Sequence, residues 1–538
     1  MDPRLVRKDA ARVNSPVSRI GVYGWGVVAP GAKDIDSFKA LLGGATTALA
    51  PSLRLELGSG LFAVGEPDFS FDDYASWIKD RLGEPYVLRL QRKMGDNVKF
   101  AVGATIQALR TQPGIEQAIK ELDEDCHVYV GSGVGDLKVS YKAAHSLDRA
   151  KRVWNQFWAE RGSALRRYRA EGKLPEGEPP PLDPEPLLID SEARFEALSS
   201  WNEYWAARSD ELRAFCTRYA DIEKLAIQNT DDESGHLAAI RARARAHRAL
   251  ADEIGCPPPP WTAVDADLIW NIQNSPAAQI TMLLDIHGPA WAPVGACSTF
   301  GVALACGREA ILRGEAKMAI CGTTDPRPDS ALAAAFHGAR LIPGTGEVNH
   351  PFMALRGTHM SGGSCMWIVG DASYCEARGM VPLAYLEAVA LSSDAEHIIT
   401  PSKSGPKRAM ARAFKEAGVT PNDVAIVDLH ATGTPGDLNE LMLVDDFISD
   451  ETLITARKGQ LGHGMANSGG WELTALALSL STGTVLPTGI AGEYLHPRVT
   501  RKTQVVTAAR KVSGNVGVKL MLGIGGITAC VVLRGANR

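Results

Sequence analysis

Three residues of this chain join nucleophilic to proton-handling chemistry: Cys297, His430 and His463. Cys297 stands in GACSTFGVALACGREAILRG, directly after the apolar run AWAPVGA and at the start of small and apolar residues that read as a buried helix. A helix start brings partial positive charge and free N–H groups toward the sulfur, favouring the nucleophilic thiolate. Taken alone, such a cysteine is more often a buried and inert one. His430 ends the apolar strand VAIVDL and opens the turn HATGTPGD. His463 lies in the glycine-rich KGQLGHGMANSGGWE, ahead of a small-residue helical run from Leu473 to Leu480. Each histidine alone reads equally as a satisfied structural one. Together, a thiol at a helix start and two imidazoles at glycine-lined strand or turn ends form a site able to carry an acyl thioester and bind a developing oxyanion.

The elements that must position these groups follow an α/β rhythm. RIGVYGWGVV (Arg19 to Val28) and VYVGSGV (Val128 to Val134) read as buried strands, with a helical pattern closing at Gln107 to Arg110 between them. MAICG around Cys321, CMWIVG around Cys365, LAYLEAVAL from Leu383, VAIVDL from Val424 and the closing LMLGIGGITACVVL continue the pattern. This predicts an α/β fold with a parallel or mixed sheet and two halves dividing near residue 380. As a bare pattern, GIGGIT is a bulge or a turn. From about Ala143 to Thr262 the composition changes to long polar helical patterns, interrupted by EGEPPPLDPEP (Glu176 to Pro186) and closed by PPPP (Pro257 to Pro260). This is read as a helical insertion, either a solvated appendage or a segment that docks a partner or caps the substrate.

Composition narrows the classes. The chain has 538 residues, 45% apolar and 22% charged, with a formal net charge of -5. That balance suits a soluble globular protein and gives no basic field for nucleic acid. Nine cysteines without a CxxC pair suggest neither a disulfide framework nor a thiolate metal site. The start, with Arg4, Arg7, Lys8, Asp9 and Arg12, lacks the apolar stretch of a signal peptide, and no apolar run reaches membrane-spanning length. The cytoplasm is the expected compartment. GSGVGD at Gly131 fails as a dinucleotide fingerprint because Asp136 stands where the third glycine belongs.

The Cys297, His430 and His463 motifs, in this order, resemble the β-ketoacyl-acyl-carrier-protein synthases of the thiolase superfamily, of the elongating Cys-His-His type. The resemblance covers nearly the whole chain outside the insertion. It implies a thiolase-like fold, in which two similar α/β halves form a layered α-β-α-β-α core. Residues 1–380 would carry the nucleophile and the insertion at about 143–262, and residues 381–538 the two histidines. It implies decarboxylative Claisen condensation of an acyl thioester on Cys297 with a malonyl carrier, as in fatty acid or polyketide-type biosynthesis, without cofactor or metal. His430 and His463 would hold the malonyl thioester carbonyl. Lys458, five residues before His463, would organise the site, and Glu472, nine residues after it, would pair with Lys458. The backbone N–H groups of Cys297 and Ile524 would form an oxyanion hole. Arg89, Arg92 and Lys93 in LRLQRKMG match the position of a helix that docks acyl carrier protein. A homodimer, or a heterodimer with a related synthase, is implied as well. Two other activities share the scaffold: a non-condensing partner subunit of the chain-length-factor kind, which typically lacks the cysteine, and an acyltransferase forming an ester or amide.

The sequence departs from that pattern in places. HATGTPGDLNE carries Ala431 and brings Asp437 one residue early, which implies a reshaped turn. PFMALRGTHMSGGSC has Met353 and Gly363 where acids are expected, which implies an altered supporting network. Ile524 replaces an aromatic that often gates the acyl pocket, and Thr528 replaces an asparagine.

Overall fold

Ten strands form one mixed sheet in a computed structural model that describes residues 19–536 other than 56, 58–59, 175–176, 225–232, 395, 397–401, 403 and 491, with backbone only at 233–237. The basic start through Arg12, and Glu176 at the head of the proline-rich run, lie outside the described residues. The strands are β1 (Ile20–Val28), β2 (Cys126–Gly131), β3 (Ala290–Trp291), β4 (Met318–Asp325), β5 (Gly363–Asp371), β6 (Ala384–Ser393), β7 (Val424–Asp428), β8 (Leu453–Thr455), β9 (Val516–Gly523) and β10 (Ile527–Gly535). Their spatial order is β8-β7-β9-β10-β6-β1-β5-β4-β2-β3. Read outward from the central β1–β6 pair, the two sides have the same connectivity: first strand, fifth, fourth, second, third. The chain thus repeats one α/β arrangement, and the two copies meet where Gly21 and Val22 pair antiparallel with Tyr385 and Ala384.

The helices complete five layers. Nearest the sheet on one outer side lies α2 (Asp96–Arg110), preceded by α1 (Glu84–Lys93). The insertion supplies α3 (Leu137–Arg161), α4 (Glu192–Ala207), α5 (Asp210–Lys224) and α6 (Glu233–Ile254). Two mirrored helices, α7 (Thr299–Leu312) and α11 (Ser468–Thr482), pack on each other between the two halves of the sheet. On the far outer side lies α8 (Ser404–Ala417), followed by α9 (Gly436–Val444) and the single turn α10 (Lys458–Leu461).

Strands buried on both faces read as continuous apolar runs, and three separate cores result. Trp25, Phe300, Leu304, Trp367, Trp471, Leu476 and Met521 fill the central layer. Tyr23, Val28, Phe100, Ile106 and Ile368 form one outer core, and Met410, Phe414, Val427, Leu520 and Val532 the other. In β1 the glycines are on the side of α2: a Cβ at Gly26 would come within 1.8 Å of the Ala104 carbonyl oxygen, so the glycine sets the helix-to-sheet distance.

The insertion is a compact unit of its own, Lys138–Leu268, a few residues wider at each end than its composition marks. Its helices are not merely solvated. Trp154, Trp158, Phe215 and Leu250 form one core, and Leu165, Trp201 and Trp205 another, with the indoles of Trp154 and Trp158 edge to face at 5.4 Å. Among the described residues no helix is long and apolar enough to cross a membrane.

Candidate active site

Cys297 sits in the short turn Ala296–Ser298 that leads from β3 into α7, so its sulfur lies at a helix start. Ala296 adopts φ +50°, and the Thr299 hydroxyl clasps the turn by accepting from the Gly295 N–H at 2.9 Å and donating to the Ala296 carbonyl at 2.7 Å. Ser298 Oγ donates to the Ile527 carbonyl at 2.8 Å, tying the turn to the β9–β10 hairpin. GIGGIT is the turn of that hairpin, with Gly525 at φ +92° and Gly526 at φ +71°. Its tight course turns the Ile524 N–H onto the Cys297 sulfur, beside the N–H of Cys297 itself.

The thiolate expected from the helix start is not the resting form. Burial pushes the Cys297 thiol up to about 11, and the Ile524 N–H and the Lys458 ammonium only partly offset it. Desolvation outweighs the helix end here, so the sulfur rests as a thiol.

His430 follows β7 by two residues, and its main chain is held on both sides. Its N–H donates to Glu440 Oε1 at 2.6 Å, and its carbonyl accepts from Lys458 Nζ at 2.5 Å. Asp437, one position early, closes the turn from the start of α9. It accepts from the N–H groups of Thr432 at 2.8 Å, Gly433 and Phe352 at 3.0 Å, and Thr434 at 3.3 Å. The turn is therefore rebuilt around one carboxylate. Burial raises Asp437 to about 6 and Glu440 to about 7, against the pull of these N–H groups.

His463 Nδ1 accepts from the Met465 N–H at 3.1 Å, which leaves the ring proton on Nε2. The rings of His430 and His463 lie 5.5 Å apart at 80°. Burial first, and the Lys458 charge second, hold both imidazoles well below their ordinary range, so both are neutral. Cys297, His430, His463 and Ile524 line one cavity of about 160 Å³, with Phe336 and Leu341 among its apolar walls.

Behind the histidines lies a buried ionic network. Lys458 Nζ is 2.8 Å from Glu472 Oε1, and both side chains are fully buried rather than solvated. Three members were missed by the sequence reading: Lys519, Asp428 and Arg457. Lys519 on β9 lies 2.7 Å from Glu472 Oε2 in an ion contact off the hydrogen-bond axis, and donates to Asp428 Oδ1 at 2.8 Å. Asp428, at the end of β7, is 3.8 Å from Arg457 Nε. The signal was present in VKLML: period-two alternation puts Lys519 on the same inward face as Met521. Another missed residue is Asp325. Its Oδ1 accepts from Ser132 Oγ, Gly133 N–H and Val134 N–H at 2.7, 2.9 and 3.1 Å, and its Oδ2 from Ala466 N–H at 2.9 Å. The glycine loop after β2 thus spends its N–H groups on a carboxylate of its own chain. Burial raises Asp325 to about 6.

The expected acid at 363 has no room: Gly363 has φ +143°, and a Cβ there would lie 2.1 Å from the Val28 carbonyl oxygen. Met353 packs on an outer core instead of joining a polar network. Arg89, Arg92 and Lys93 all lie on α1, with Arg89 and Arg92 exposed and the Arg89 guanidinium 5.0 Å from the Tyr86 ring centre. None of the three lines the cavity.

Residues 231–369 match the beta-ketoacyl synthase N-terminal domain, and residues 383–490 the C-terminal domain. The chain is 29% identical over 274 residues to "3-oxoacyl-[acyl-carrier-protein] synthase 2" of Rhizobium meliloti, a stretch taking in 48% of this chain and 64% of that protein. The match therefore spans less than two thirds of the relative's length. Two solved structures share the fold at low identity. "The ishigamide ketosynthase/chain length factor" has a TM-score of 0.63 at 18% identity, and a type II PKS acyl-carrier protein in complex with its ketosynthase has 0.66 at 16%. Each covers 96% of this chain and 99% of the other.

Proposed function

The chain belongs to the β-ketoacyl synthase family, and from that premise we propose that it is a condensing acyltransferase using Cys297 as the acyl-carrying nucleophile. The observation that carries this reading is the single cavity shared by Cys297, His430, His463 and the Ile524 N–H. In the first half-reaction the Cys297 sulfur attacks an acyl-carrier thioester. The new thioester forms as the carrier sulfur leaves, and the thiol proton goes to that sulfur. The N–H groups of Cys297 and Ile524 bind the tetrahedral oxyanion. In the second, His463 Nε2–H and His430 hold the malonyl thioester carbonyl while carbon dioxide departs. The resulting carbanion attacks the acyl carbonyl on Cys297, the carbon–sulfur bond to Cys297 breaks to leave a 3-oxoacyl product on the carrier, and the released thiolate takes a proton from water. Neutral imidazoles suit this role because they hydrogen-bond to the developing enolate without protonating it.

Intact-mass measurement after incubation with a panel of acyl carriers tests the reading. Wild type gains an acyl mass, and H430A and H463A still gain it but lose malonyl decarboxylation by about 100- to 1000-fold, the usual cost of one oxyanion donor. Normal condensation in both variants would overturn the assigned histidine roles. No acylation by any donor would favour the partner-subunit reading, for which the ketosynthase/chain-length-factor neighbour gives a structural precedent.

The carrier partner is read onto α1. Arg89 and Arg92 offer exposed positive charge, with Lys93 beside them, and carrier proteins are acidic. R89E/R92E is expected to slow acyl transfer from carrier protein about 10-fold at low salt while sparing small thioester analogues. Equal kinetics with the carrier would remove α1 from the docking surface. The strand β3, at the edge of the described sheet and paired on its inner side only, with half-exposed Trp291, supports pairing with a second copy or a related synthase. The cytoplasm is the compartment that fits such a reaction.

A further inference from the structure

We propose that Lys519 is a positioning residue for the site: it locks the end of β7 to β9 and to α11, and it sets the charge of the buried ionic network behind the His430–His463 pair. The inference rests on the functional reading above for its purpose, but not for its test.

The geometry gives Lys519 three anchors and no solvent. It is fully buried and stands opposite Asp428 in the parallel register of β9 and β7. Its Nζ donates to Asp428 Oδ1 at 2.8 Å and to the Leu429 carbonyl at 2.9 Å, and lies 2.7 Å from Glu472 Oε2. Those contacts join the strand that leads to His430, the strand that leads to Ile524, and the helix that follows His463. Leu429 is thus held by Lys519, and His430 by Lys458, with Glu472 bridging the two ammonium groups.

Charge is the second part. In this network Arg457, Lys458 and Lys519 face Asp428 and Glu472, an excess of one positive charge. Burial pulls the Lys519 ammonium toward deprotonation, but the two carboxylates more than offset this, and it stays charged. His430 is faced by Lys458, His463 and Lys519, with Glu440 on its main chain and Cys297 across the cavity. His463 is faced by Lys458 and Lys519. Removing Lys519 neutralises the network, so the imidazoles gain protons at a higher pH. Removing the Asp428 charge instead makes the network more positive and moves them the other way.

Histidine labelled with ¹³C at Cε1, read by NMR across pH 4.5 to 8 in the full chain, tests this, with H430A and H463A identifying the two signals. In K519M the titration of the pair is expected to move up by about one pH unit relative to wild type. In D428N it is expected to move down or stay below the observable range. The acid limb of malonyl decarboxylation follows the same order, with K519M recovering activity as the pH is raised. A loss in both variants that is equal at all pH values, or shifts of the same sign, would overturn the proposal in favour of a purely structural role. So would failure of both variants to fold. Opposite shifts without any decarboxylation in wild type would keep the Lys519 assignment and overturn the condensing activity.

Discussion

C297A is expected to take up no acyl group from any carrier and to lose condensation by about 10⁴-fold or more, the scale of removing a covalent nucleophile. The change is small in volume and leaves the clasp of Thr299 and the Ser298 tie to Ile527 in place, so the fold is retained. Intact-mass spectrometry reads the result directly. An acyl adduct on C297A would place the nucleophile elsewhere, and the cavity also offers the hydroxyls of Ser402, Thr432 and Thr434 to such a search. The resting thiol sharpens the expectation. With burial raising it to about 11, little thiolate exists at neutral pH, so loading depends on the N–H groups and the Lys458 field that act on the sulfur as charge develops.

E472A is expected to have the largest effect on stability. Glu472 separates two buried ammonium groups, Lys458 at 2.8 Å and Lys519 at 2.7 Å. Without it, three buried cations share Asp428. Breaking a buried ion pair by removing one partner typically costs about 3–5 kcal/mol. Chemical denaturation should show the midpoint falling accordingly. E472Q, which keeps an acceptor, should fall less. An unchanged midpoint in E472A would mean that the lysines find solvent, contrary to the burial of the network. Decarboxylation should fall in both variants because the Lys458 hold on the His430 carbonyl depends on the same carboxylate.

What was legible in the sequence had local character. Cys297 after an apolar run, His430 at a strand end and GIGGIT between two apolar runs each carry their position in a few neighbouring residues, and the resemblance supplied their grouping. The strands β1, β4, β5 and β7 were legible for the same reason, as apolar runs buried on both faces. Of the ionic network only the Lys458–Glu472 pair was foreseen, through the resemblance; Lys519, Asp428 and Arg457 were not, because its members come from four elements and a charged residue in an apolar strand has no visible partner in one dimension. Alternation could assign Lys519 a face but not Glu472 a distance. The thiol's resting protonation state was not legible, because a helix start is visible in sequence whereas complete desolvation is a tertiary property. The turn at His430 lay between these cases: the early Asp437 was visible, but not that four N–H groups would gather on it.

The repeated strand order has a kinetic consequence. Cys297 precedes α7 in the first copy of the arrangement, and His463 precedes α11 in the equivalent place of the second. A folding intermediate in which only the first copy has formed, as it would leave a ribosome, holds the sulfur without either imidazole. Competence appears only after β1 and β6 pair and the two central helices dock, which are long-range and therefore late events. Acyl loading measured during refolding should accordingly lag behind the formation of helix and strand, making chemistry itself a reporter of the last step of assembly.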